Sequence, residues 1–310
     1  MKPGIFIDGE HGTTGLQIRE RLARRDDLNM LSLAHDDRHD LGKRKEMLGQ
    51  CDVAILCLPD DAAREAVAMI EETGNQNARV IDTSTAHRTH EDWAFGFAEL
   101  DKAQAGKIRS SKRVSNPGCY STGAIALLKP LIDGGLMPAD FPVTINAVSG
   151  YSGGGKQLIA QMEDTSHEAH IDTSFHLYAL PLKHKHVPEI MSRAGLTKRP
   201  LFMPSVGRFA QGMLVNIPLH LDQLTNASTD TIRGALEAHY EGCEFVTVAD
   251  NKESGSASQI RPEDYAGRDD MKLWVCGDTD TGHVNLVAQL DNLGKGASGA
   301  AVQNLDLLIG

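Results

Sequence analysis

The run Ser115-Asn116-Pro117-Gly118-Cys119-Tyr120-Ser121-Thr122 places one cysteine where a chain can activate a thiol. Lys112 to Ser115 reads as a short strand and Ala124 to Leu128 as a buried helix, so Pro117-Gly118 forces a tight turn between them. Cys119 is therefore expected in the first turn of that helix. There, unpaired N–H groups and the positive end of the dipole favour thiolate over thiol. A thiolate so placed can attack an acyl carbon and form a thioester. A cysteine in a Pro-Gly turn can also be a small packed residue, so the rest of the chain has to decide.

A second stretch that could do chemistry is Gly9-Glu10-His11-Gly12-Thr13-Thr14-Gly15. It follows the apolar strand Ile5-Phe6-Ile7 and opens a helix in which Ile18 and Leu22 lie four apart. Glycines at a strand-to-helix turn let backbone approach a pyrophosphate and aim a helix N-terminus at it. The spacing is G-x-x-G-x-x-G, not G-x-G-x-x-G, so position and context carry the assignment. Gly9, Gly12, Thr13, Thr14 and Gly15 are the expected cofactor contacts. A carboxylate ending the second strand favours the ribose hydroxyls, whereas basic or hydroxyl residues suit a 2′-phosphate. Here Ser32, His35 and Arg38 surround Asp36 and Asp37, which points to NADP(H).

The elements that must position these turns follow from periodicity. Met30 to Leu33, the continuous apolar run Val53 to Leu58 and Arg79 to Asp82 read as parallel strands, and Asp60 as the cap of a helix burying Ala63, Val67 and Ile70. This is a doubly wound α/β half, a Rossmann domain over residues 1–115. After Cys119 the strands lengthen: Val143 to Val148, the alternating run Met213 to Leu221, Leu273 to Cys276 and Val284 to Leu290. Residues 116–291, which carry Cys119, are thus expected as an α+β catalytic domain with a mainly antiparallel sheet. A C-terminal helical segment, residues 292–310, completes the first domain.

Of 310 residues, 41% are hydrophobic and 24% charged, as in a soluble globular protein. The formal charge of -11 argues against nucleic acid and anionic membrane as partners, so an anionic substrate must meet a local basic cluster. No leader precedes the first strand and no apolar run is long enough to span a membrane. Five cysteines without CxxC pairing suit the cytoplasm. His167-Glu168-Ala169-His170 suggests a metal site, but the histidines are three apart where the zinc helix motif needs four, and no metal is expected.

Taken in order, these motifs resemble the N-acetyl-gamma-glutamyl-phosphate reductases, relatives of the aspartate-semialdehyde dehydrogenases. The likeness spans essentially the whole chain. Val80 to Arg88 is similar to the family segment ending in a substrate-side arginine, and Val148 to Lys156 to its Ser-Gly-x-Ser-Gly loop. His184-Lys185-His186-Val187-Pro188-Glu189-Ile190 resembles its His-x-Pro-Glu-Ile motif, and Asp291 to Gly299 with Gln303-Asn304 its cofactor-side segment. Ser121 stands where many members carry proline, and the chain has the length of the compact branch.

The resemblance implies NADPH-dependent reduction of an acyl phosphate through a Cys119 thioester, with His186 moving the proton and Glu189 orienting it. His184 is the alternative acid/base. Arg88 is the expected phosphate anchor and Arg208 a second candidate, with Asn116 and Ser149 as further substrate contacts. Leu58, Pro59, Ser84, Gly153 and Asn292 join the expected cofactor contacts. The expected partners are a small acyl-phosphate substrate and further copies of the chain, as a dimer or tetramer. Aspartyl phosphate is the nearest competing substrate; a metal-dependent hydrolase and a non-catalytic NADPH sensor are more distant alternatives.

Overall fold

The computed structural model describes residues 2–310. One compact unit holds the residues up to Ala98, Ala103–Pro117 and Ala297–Gly310; the other holds Glu99–Lys102 and Gly118–Gly296. In the first, β1 (Gly4–Asp8), β2 (Asn29–Leu31), β3 (Val53–Leu56), β4 (Arg79–Asp82), β5 (Ala94–Phe95) and β6 (Arg113–Ser115) form a sheet ordered β2-β1-β3-β4-β6-β5. Every pairing is parallel. Helices α1 (Thr13–Leu22), α2 (Leu41–Gln50), α3 (Asp60–Thr73) and α4 (Gln104–Ser110) alternate with the strands.

All residues of β1 and β3 are buried, because helices cover both faces of the sheet. Ile5, Ile7, Val53 and Ile55 pack with Ile18 and Leu22 of α1 and with Leu305 and Leu308 of the C-terminal helix Gly299–Ile309. Phe6, Ala54 and Leu56 point the other way, onto Leu48 of α2 and Ala63 and Ile70 of α3. Each such aliphatic side chain contributes about 1.5–3 kcal/mol by leaving water. The strand order reverses between β1 and β3, and in such sheets that reversal opens a ligand crevice at the strands' carboxyl ends.

Two local expectations need correction. The second strand is Asn29–Leu31, so Ser32 follows it rather than lying within it. Asp60 is the first residue of α3 and Pro59 holds the N-cap, extended at φ -59 and ψ 155. The Asp60 carboxylate accepts the Thr85 N–H at 2.9 Å and the Thr85 hydroxyl at 2.5 Å, tying down the segment after β4.

The second unit is built on β7 (Thr144–Gly150), β8 (Phe175–Leu177), β9 (Leu201–Gly207), β10 (Met213–His220), β11 (Val246–Val248), β12 (Met271–Asp278) and β13 (His283–Leu290), ordered β11-β12-β13-β10-β7-β9-β8. The sheet is mainly antiparallel, with parallel pairings at β11·β12 and β7·β9. Its helices are α5 (Cys119–Asp133), α6 (Gly155–Glu163), α7 (Val187–Ala194), α8 (Thr229–Tyr240) and α9 (Asn251–Ser256). Met213, Val215, Ile217 and Leu219 of β10 alternate inward; Leu221, expected to continue that face, begins a short 3-10 turn. A Cβ at Gly123 of α5 would lie 2.8 Å from the Val215 side chain, so this glycine sets how closely the helix lies on the sheet. Among the described residues no helix is long and apolar enough to cross a membrane.

Candidate active site

Cys119 is the first residue of α5, behind an extended N-cap at Gly118 that has no side-chain cap. The buried Glu189 carboxylate grips this turn from α7. It accepts the Gly118 N–H at 2.9 Å and the Ser121 hydroxyl at 2.8 Å. Ser121, the departure from the family's proline, is thus a working donor. Each oxygen of the Glu189 carboxylate takes a donor from the nucleophile turn. Gly296 seals the other side: a Cβ there would come within 2.8 Å of the Cys119 Cβ. Burial pushes the Cys51 and Cys57 thiols up to about 12, and those of Cys243 and Cys276 are also raised, chiefly by burial.

His186, buried, is the N-cap residue of α7. Its ring centre lies 5.8 Å from that of Tyr120, the neighbour of Cys119, and 4.7 Å from that of His184. His184 Nδ1 accepts the His186 N–H at 3.1 Å, so its neutral ring carries the proton on Nε2, 3.3 Å from the Tyr178 hydroxyl. Both His184 nitrogens are therefore engaged.

A cavity of about 350 Å³ opens on Cys119, within the range of small-ligand pockets. Ser149 and Gly153 line it, as do Gln161, His176 and Tyr178, which the sequence reading did not single out. The Ser149 hydroxyl donates to the Gly150 carbonyl at 3.0 Å. Arg208 does not line it. Its guanidinium donates to the Ile171 carbonyl at 2.6 Å and the Met162 carbonyl at 3.1 Å, bracing the cavity wall. Asn292 is a brace too, accepting the Gly212 N–H at 2.9 Å and donating to the Ser152 hydroxyl at 2.9 Å. His167 lies outside this cluster, its Nδ1 accepting the Ala169 N–H at 3.0 Å in an exposed turn.

In the first unit the glycine turn sits at the sheet's reversal point. Gly9, at φ +90, and Gly15 are required by the turn itself: a Cβ at Gly9 would lie 2.3 Å from the Cys57 carbonyl oxygen, and one at Gly15 2.3 Å from that of Gly9. Gly12 differs. It is the N-cap of α1, with no side-chain cap, and a Cβ there would meet only ordinary contacts at 3.4 Å and beyond. The protein's own packing does not demand a glycine at this place. Gly12 lies just ahead of the backbone N–H groups that open α1, the kind of helix N-terminus that can receive a pyrophosphate. Leu58 abuts the same turn, 3.3 Å from where a Gly9 Cβ would be. The Ser32 hydroxyl reaches Glu10 at 3.4 Å, and Arg19 pairs with that carboxylate at 3.5 Å. Arg38 is exposed and donates to the His35 carbonyl at 2.7 Å.

Asp82, at the end of β4, organises the segment that carries Arg88. Its fully buried carboxylate accepts the Ser84 N–H at 2.9 Å, the Ser84 hydroxyl at 2.8 Å and His87 Nδ1 at 2.7 Å. The His87 ring stacks on Trp93, centres 3.9 Å apart. Arg88, buried, donates to the Thr83 carbonyl at 3.0 Å. Asn116 is engaged at both ends of its amide, donating to the Ala297 carbonyl and accepting from Asn304, each at 3.0 Å.

A doubly wound nucleotide-binding unit followed by a mixed-sheet unit with a cysteine at a helix N-terminus defines the semialdehyde dehydrogenase class. Residues 14–108 match the family model "Semialdehyde dehydrogenase, NAD binding domain", and residues 119–292 match "Semialdehyde dehydrogenase, dimerisation domain". The chain is 57% identical to the N-acetyl-gamma-glutamyl-phosphate reductase of Brucella ovis, over all of both chains, and 58% identical to that of Brucella anthropi, over all of this chain and 99% of the other. It belongs to the N-acetyl-gamma-glutamyl-phosphate reductase family. Its fold is also that of the aspartate semialdehyde dehydrogenase II of Vibrio cholerae solved with ASA, at a TM-score of 0.73 and 16% identity, covering 100% of this chain and 98% of that one.

Proposed function

We propose that this chain reduces N-acetyl-gamma-glutamyl phosphate to N-acetylglutamate 5-semialdehyde with release of phosphate, using NADPH, in arginine biosynthesis. The observation that carries this reading is Cys119, held at the first turn of α5 and opening on a ligand-sized cavity, in a chain so similar to named reductases over its full length. The Cys119 thiolate attacks the acyl carbon and the C–O bond to phosphate breaks, leaving a thioester on sulfur. A bound nicotinamide supplies the hydride that reduces it. The thiohemiacetal on Cys119 then collapses, the C–S bond breaks and the thiolate is restored. His186 takes the thiol proton at the start and gives it to the departing phosphate, and a proton from solvent re-forms the thiol after the thiolate leaves. Arg88 is the phosphate anchor, a planar fork matched to phosphate oxygens, at the end of the segment that resembles the family's substrate-side arginine segment.

Gly12, Thr13, Thr14 and Gly15 would hold the pyrophosphate. Ser32 and Arg38, with Arg19 beside Glu10, would favour the 2′-phosphate. As partner, a second copy of the chain fits the sheet face opposite α5, where a groove of about 770 Å³ lies between Pro142, Pro218 and the paired rings of His220 and His283. A dimerisation-domain family model supports this, and sedimentation of the purified protein tests it. No two of the five cysteines form a disulfide among the described residues, which suits a reducing cytoplasm. The decisive assay runs the reaction backwards with N-acetylglutamate semialdehyde, phosphate and NADP, against aspartate semialdehyde. Turnover of the acetylated substrate supports the reading; turnover of aspartate semialdehyde alone overturns it.

A further inference from the structure

We infer that Gln161 and His176 select an N-acylated acyl chain over one bearing a free ammonium group, an inference that rests on the reductase reading and concerns the same cavity. The side chains lining the cavity around Cys119 include no aspartate or glutamate. An ammonium group entering it would lose its hydration and find no counter-ion, which is strongly unfavourable. A neutral amide needs one acceptor for its N–H, one donor for its carbonyl and an apolar seat for its methyl group. Gln161 offers both an acceptor and two donors. His176 Nδ1 is buried yet has no hydrogen-bond partner among the described residues, and a buried polar atom of that kind calls for a group that the protein does not itself supply. Leu158, Ile171 and Val206 complete the wall with apolar surface.

The wall is rigidly built. His176 sits on β8 directly opposite Val206 of β9, so sheet register fixes its place. The Gln161 carbonyl accepts the Ile171 N–H at 2.8 Å, and Arg208 holds the carbonyls of Met162 and Ile171 on either side of that bond. Gly154 belongs to the same design: a Cβ there would come within 2.3 Å of the Leu158 side chain, so glycine lets Leu158 take its place on the wall. Preorganised donors of this kind discriminate because the wrong ligand leaves them unpaired.

The test uses two stable acids, N-acetyl-L-glutamate and L-glutamate. Each is titrated as an inhibitor of the reverse reaction and, without turnover, as a protectant of Cys119 against iodoacetamide. The wild-type protein should bind the acetylated acid at least about tenfold more tightly. Gln161→Glu places a carboxylate in the wall and should shift that ratio toward L-glutamate by about tenfold or more. His176→Phe should weaken the acetylated acid with little change for the free one. His176→Asn and Gln161→Ala serve where the first variants fold poorly, as judged by thermal midpoint and NADPH binding. A protection ratio unchanged across folded variants at both positions overturns the inference, as does a wild-type protein indifferent to the acetyl group. Failure of the reductase reading would appear instead as absent turnover, because the protection arm needs none.

Discussion

At the scale of single residues, the reactive group is set apart by what surrounds the other four cysteines. Cys51 and Cys57 are held near 12 by burial and Cys243 and Cys276 are raised, so at neutral pH iodoacetamide should label Cys119 first. Cys119→Ser should abolish turnover and leave NADPH binding intact. Peptide mapping that finds Cys276 labelled ahead of Cys119 would refute this. Arg88 and His186 should fail in different ways. Arg88→Ala should raise the KM for phosphate in the reverse direction, and Arg88→Lys should recover little, since a point charge lacks the fork. His186→Asn should instead lower kcat, by about 10²–10⁴-fold, and flatten one limb of the pH–rate profile. Unchanged phosphate dependence in Arg88→Ala would move that role elsewhere. The nucleophile turn was legible in the sequence because Pro117-Gly118 and the apolar run after it act locally. Gln161 and His176 were not. β8 has its apolar residues outward, Phe175 and Leu177 each 54% exposed, while His176 lines the cavity, the reverse of the alternation by which strands are read.

At the scale of elements, two turns can be tested by what a side chain would meet. Gly15→Ala drives a Cβ into the Gly9 carbonyl and should cost about 1–3 kcal/mol of stability through overpacking. Gly12→Val should leave the thermal midpoint of the protein alone nearly unchanged and weaken NADPH binding, because only the space before α1 is filled. A Gly12→Val protein that loses stability as much as Gly15→Ala would contradict this division. At the other turn, Ser121→Ala removes a hydroxyl donor to the buried Glu189 carboxylate. The cost should be about 1–3 kcal/mol, with a slower reaction of Cys119 toward alkylation. Thermal melts with wild-type alkylation rates would show that the hydroxyl merely fills space. Strand positions came through in the sequence wherever both faces of a strand are buried, as in β3 and β4. Asp60 was misplaced by one residue because a local capping rule gave way to a tertiary bond, the one to Thr85.

At the scale of the whole molecule, acid should weaken the second unit through His239. Its Nε2–H donates to the Glu99 and Leu100 carbonyls at 3.3 and 3.1 Å, and burial holds its pKa below the usual histidine range. A group held neutral in the fold stabilises it fully above the unfolded value of about 6.5 and loses that contribution as pH falls through the lowered folded value. Thermal midpoints should therefore drop between pH 7 and 5, and His239→Gln should flatten that slope. An unaltered slope would assign the acid sensitivity to other groups. The sequence carried the order of the two architectures and the expectation that a C-terminal helical segment, residues 292–310, completes the first; Ala297–Gly310 belongs to that unit. That Glu99–Lys102 joins the second unit was not legible, because Glu99 meets His239 and Lys295 there, 140 and 196 positions away, where no local pattern reaches. The late return of the C-terminal segment also gives the molecule a schedule. Leu305 and Leu308, which finish the hydrophobic face of β1 and β3, leave the ribosome after the entire second unit. At about 5–20 residues per second, the nascent nucleotide-binding sheet waits roughly ten to forty seconds with that face only partly covered. During synthesis the half of the protein made first is thus the half finished last, and it is there that a chaperone would be needed.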